Sequence, residues 1–73
     1  MKNRIAIYAD LLRKNLTEQG FGFIKQTSHP LAGGVLLCFN KNGKDITNQM
    51  IGVNCPYRLE IKKDSFLVYL FYN

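Results

Sequence analysis

One histidine, two cysteines and five carboxylates are all that the 73-residue chain holds of the residues that most often carry metal, redox and acid–base chemistry. A tetrahedral zinc site needs four closely spaced ligands, and Cys38, Cys55 and His29 do not supply them. No phosphate-cradling glycine loop is present, because Gly20-Phe21-Gly22 reads as a helix stop followed by a strand entry. There is no nucleophile-elbow pattern either. Long apolar runs are also missing. Val35–Phe39 and Phe66–Tyr72 are the longest, far short of the roughly 20 residues that span a bilayer. A cleavable leader is not expected, since Asp10, Arg13 and Lys14 interrupt the apolar stretch that begins at Ile5. These absences point to a cytoplasmic protein with reduced thiols, no cofactor, no metal and no membrane partner.

What is present is ordinary globular material, at 47% hydrophobic and 21% charged residues, too apolar for a disordered tail. The length fits one domain, residues 1–73, without repeat, linker or low-complexity tract. Ten Lys and Arg against five Asp and Glu give a formal charge of +5, which favours anionic partners.

The segment Arg4–Gln19 has helical periodicity, with Ile5, Tyr8, Ala9, Leu12 and Leu16 on one face and Ile7 and Leu11 widening it. Asn3 can cap its start. Gly20 is the expected stop, taking the left-handed conformation while Phe21 folds back on Leu16. The period then becomes extended. Strands are expected over Phe21–Thr27 and Val35–Asn40, separated by a pliable loop, Ser28–Gly34, with its Gly33-Gly34 pair. The second strand is apolar on both faces, which predicts a central position and makes Cys38 a small core residue. Asn42-Gly43 is the strongest turn signal, and Asp45–Val53 reads as a third strand with a bulge at Gly52.

The final hairpin is the clearest feature. A turn over Lys62–Ser65 sets Ile61 opposite Phe66, Leu59 opposite Val68 and Tyr57 opposite Leu70, all apolar pairs. A slip of one residue destroys that agreement. The fold class is therefore α+β, one N-terminal amphipathic helix packed on a four- to five-stranded antiparallel sheet. The expected core is Tyr8, Leu12, Leu16, Phe23, Leu37, Phe39, Leu59, Ile61, Phe66, Val68 and Leu70. The other face of the hairpin carries Arg58, Glu60 and Lys62 beside Leu67, Tyr69 and Phe71. An apolar last strand left open invites aggregation, so something must pair or cover it.

Two partial resemblances enter here. The run Leu11–Gln19, then Gly20-Phe21, Lys25 and Ser28-His29 before an apolar strand resembles the start of a HicA-type toxin, over about a third of the chain. Those are small messenger-RNA interferases, and the resemblance implies a catalytic role for His29. Thr27 stands where the family has glycine, Pro30 follows the histidine, and the chain ends in strands where the family has a second helix. The hairpin from Tyr57 to Tyr69 is similar to the C-terminal strands of RelE-like ribosome-dependent toxins.

Function from residues alone reads as a small basic binding protein acting by occupancy rather than an enzyme. One version binds RNA or DNA through Arg4, Arg13, Lys14, Lys25, Arg58 and Lys62, with aromatics stacking on bases. The other is a protein-interaction inhibitor, of antitoxin or phage type, with a protein partner or a homodimer held through Leu67, Tyr69 and Phe71 of the last strand. The alternative is a HicA-like ribonuclease using His29.

Overall fold

The computed structural model describes residues 4–29 and 34–71; the expected cap at Asn3 lies outside them. In chain order the elements are α1 (Arg4–Glu18), β1 (Gly22–His29), β2 (Gly34–Asn40), α2 (Asn48–Ile51), β3 (Tyr57–Ile61) and β4 (Ser65–Leu70). The strands form one antiparallel sheet in the order β1-β2-β4-β3, with α1 packed on one face. This is the α+β fold that the periodicity predicts.

The end of α1 follows its sequence signal closely. Gly20 adopts φ 101°, its N–H donates to the Thr17 carbonyl, and the Phe21 N–H donates to the Leu16 carbonyl, each at 3.1 Å. That pair of bonds is the Schellman motif, and it carries Phe21 into the core. The last turn of α1 holds no basic residue, and Lys44 supplies one from a distant loop. Its Nζ donates to the Gln19 carbonyl at 2.7 Å, placing a cation at the negative end of the helix.

Ile5, Ala9, Leu12 and Leu16 of α1 close over Leu37 and Phe39 of β2 and Phe66, Val68 and Leu70 of β4. Each large apolar side chain removed from water here contributes roughly 1.5–3 kcal/mol. The Phe39 and Phe66 rings stack at 5.3 Å, and Phe21 meets Phe66 edge-on at 5.2 Å. Ile7 and Leu11 do not widen the buried stripe; both lie exposed on the outer side of α1.

The hairpin register is as expected, with Ile61 opposite Phe66, Leu59 opposite Val68 and Tyr57 opposite Leu70. The position of the hairpin in the sheet changes its meaning. β4 pairs with β2 along its other edge, so it is an interior strand and β3 is the edge. Strand addition through β4 is thereby excluded, leaving only its open face to a partner.

Three expectations are corrected. Asp45–Val53 is not a strand: Ile46 and Ile51 turn inward around the short helix α2, and Gly52, at φ 67°, ends that helix instead of forming a bulge. Asn42 and Gly43 do take positive φ, 52° and 78°, but the chain then leaves the sheet instead of returning along it. Phe23 and Ile61 belong to the edge strands and stay 37% and 54% exposed, Phe23 even though Arg13 of α1 lies over its ring. Tyr8 and Leu59 are partly buried at the core margin.

Candidate functional site

The face of the sheet away from α1 is not covered by any other described element. Alternation puts Leu36 and Cys38 of β2 and Leu67 and Tyr69 of β4 on this side, all half-buried. Cys38 is therefore a side chain of the open face and not of the core. Cross-strand register sets Leu36 beside Tyr69 and Cys38 beside Leu67. Arg58 lies next to Tyr69 on the outer strand, and Glu60 next to Leu67. Phe71 continues the line beyond β4, its ring nearly parallel to that of Tyr69, 7° between planes and 6.4 Å between centroids. The Phe71 N–H donates to the Pro56 carbonyl at 3.1 Å, so this end of the chain remains tied to the sheet edge.

The opposite margin is made by β1, and a bulge decides what it shows. Phe23 pairs with Phe39, and Lys25 pairs with the very next residue of β2, Cys38, so Ile24 is the extra residue. Without that extra residue Lys25 would fall opposite Leu37 and share its side of the sheet. With it, Lys25 and Thr27 stand on the open face, in line with Cys38 and Leu36. The result is an apolar and aromatic centre with a cation on each outer strand, Lys25 on β1 and Arg58 on β3. Lys62 follows β3 on the same side, its Nζ 3.7 Å from Glu60 Oε1.

The six basic residues singled out from sequence therefore divide. Lys25, Arg58 and Lys62 share the open face. Arg4, Arg13 and Lys14 ride on α1, across the sheet from them. Arg13 is engaged locally, bonded to Asp10 Oδ1 at 2.9 Å and lying 5.2 Å from the Phe23 ring centre. Leu67, Tyr69 and Phe71, singled out as an interaction surface, all lie on the open face. His29 ends β1, in register with Gly34. Its side chain lies outside the described residues.

Sequence reasoning missed Leu36, Thr27 and Cys38 as members of this face. The available signal was Val35–Phe39 being apolar at every position, which implied that both sides of β2 needed cover. Cys55 sits apart from the face, half-buried near the core margin, and burial pushes its thiol above the ordinary value. Among the described residues no group of three or more His, Cys, Asp or Glu is gathered to hold a metal ion, and no helix is long and apolar enough to cross a membrane. Compared with family models, curated proteins and solved structures, the chain matches none.

Proposed function

We propose that this chain is a small basic protein that binds nucleic acid by occupancy, using the open face of its sheet. The observation that carries the reading is the placement of Lys25 and Arg58 on opposite outer strands, either side of an apolar centre, in a chain of charge +5. Phosphates held by such cations release condensed counterions, which supplies affinity without any reacting group. The reading places the protein in the cytoplasm, where Cys38 and Cys55 stay reduced. Occupancy of an RNA or DNA segment is also how a phage-borne or antitoxin-type regulator would act.

The test is salt dependence on a mixed oligonucleotide pool. Three phosphate contacts, by Lys25, Arg58 and Lys62, predict a loss of roughly twentyfold in affinity between about 50 and 200 mM salt. Absence of binding at the lower salt removes the reading.

A second reading is favoured by the aliphatic part of the same face, Leu36 and Leu67, which has the apolar centre and polar rim of a protein interface. It predicts a stoichiometric protein partner or a homodimer that Tyr69→Asp or Phe71→Asp disrupts, with little response to salt. The ribonuclease alternative keeps one decisive experiment. Cleavage of a labelled RNA by the wild type, lost in His29→Ala, would replace occupancy by catalysis.

A further inference from the structure

The open face can be read for the form of nucleic acid it accepts. We infer that its ligand is a single strand, whose bases stack on Tyr69 and Phe71 while its phosphates reach Lys25 and Arg58. This inference rests on the nucleic-acid reading and sharpens it.

Shape argues first against a duplex. Three strand spacings separate β1 from β3, about 14 Å between outer strand axes. A B-form major groove is about 12 Å wide and admits a helix or a two-stranded ribbon, not a four-stranded sheet. Laid instead against the outside of a duplex, the face would press Leu36, Cys38 and Leu67 onto charged backbone, leaving their apolar surface without a partner. A single strand reverses that mismatch because its bases turn outward and offer flat apolar faces.

The side chains agree with the shape. Tyr69, near the end of β4, and Phe71, just beyond it, present two nearly parallel rings. Gly34, beside Phe71, adds no side chain on the β2 flank of that pair. Arg58 is cross-strand neighbour to Tyr69 and can hold the phosphate of a stacked nucleotide or lie on its base. Lys25, brought to this side by the Ile24 bulge, meets a phosphate a few nucleotides along. Leu36 and Leu67 form the floor between them. Among the described residues of the four strands, Glu60 is the carboxylate of this face, and it has Lys62 for a neighbour, which limits its repulsion of the bound strand.

The experiment uses the full chain and fluorescein-labelled oligonucleotides of about 12 nucleotides in mixed sequence, as single strands and as duplexes, read by anisotropy near 50 mM salt. Single strands should bind at least about tenfold more tightly than duplexes. Tyr69→Ala and Phe71→Ala should each weaken single-strand binding by roughly five- to a hundredfold and leave duplex binding unchanged, while Tyr69→Phe retains it. Lys25→Gln and Arg58→Gln should each lower the salt slope by about 0.7, the single-strand value per phosphate contact. A readout on the wild type covers any variant that fails to fold: the Tyr69 and Phe71 ring protons should shift upfield when the single strand is added. Strand and duplex bound alike, with both rings unmoved, overturns the stacking inference and leaves the polyanion reading standing. No binding of either form overturns both.

Discussion

The carbonyl oxygen of Leu70 occupies the place where a β-carbon on Gly34 would lie. Gly34 opens β2, and Leu70 closes β4, so the contact fixes how closely the two central strands approach at that end. The glycine is there for space, not pliability. Gly34→Ala must push backbone against backbone, and the expected loss is about 3 kcal/mol or more, a fall in melting temperature of roughly 12 °C or more. Gly43→Ala provides the contrast. Nothing lies within 4 Å of its added carbon, and only the positive φ of 78° opposes it, for about 1 kcal/mol. Thermal unfolding by circular dichroism compares the two, and equal melting temperatures would refute the packing argument.

A polar clamp from α1 holds α2. Asn15 Nδ2 donates to the carbonyls of Met50 and Ile51, each at 3.1 Å, and Gln19 Nε2 donates to Met50 at 2.9 Å. Those carbonyls end a four-residue helix and have no intrahelical donors. Because the Met50 oxygen has two donors, losing either one leaves it satisfied. Asn15→Ala should cost about 1 kcal/mol through Ile51, and Gln19→Ala less. The double variant should lose more than the sum by roughly 0.5–1 kcal/mol, since only then is Met50 orphaned. Additive losses in urea unfolding would mean that water replaces the amides.

Signals confined to neighbouring residues were legible in the sequence. Gly20 stops α1 through bonds that span at most five residues, and the last hairpin pairs across a short turn. What failed depended on partners far along the chain. The segment Asp45–Val53 looks extended, and its helix is too short to show a period. It exists because Asn15 and Gln19, more than 30 residues away, complete it. Strand order was equally hidden: nothing local to Ser65–Leu70 says that β2 will pair with it. The open face was half visible. Alternation grouped Leu67, Tyr69 and Phe71, but Lys25 joins them only through the Ile24 bulge, and Arg13 leaves the basic set only because α1 lies on the other side.

Burial raises the Cys55 thiol above its ordinary value of 9.0, so the fold favours the protonated form. The sign follows from linkage. A group with a raised folded pKa contributes stability that is fully present below the unfolded value and lost as pH rises through the folded one. The window therefore opens near pH 9 and extends upward, with no effect at neutrality. Cys55→Ser removes this titration, so the wild type should lose stability relative to the variant as pH climbs above about 9. Parallel stability curves for the two proteins across that range would contradict it.

Two hairpin partners separate the value of burial from that of pairing. Ile61 and Phe66 face one another across β3 and β4, on the α1 side of the sheet. Phe66 is fully buried against Phe21 and Phe39, while Ile61, on the edge strand, stays 54% exposed. Both keep their backbone bonds when the side chain is cut, so the difference reports packing alone. Phe66→Ala should cost about 3–5 kcal/mol, most of the roughly 5 kcal/mol that a domain of this size has in hand. Ile61→Ala should cost about 1 kcal/mol or less, since more than half of its surface already meets water. Chemical denaturation measures both. A cost at Ile61 that matched Phe66 would mean that a further element, such as a second copy of the chain, covers the β3 edge in solution.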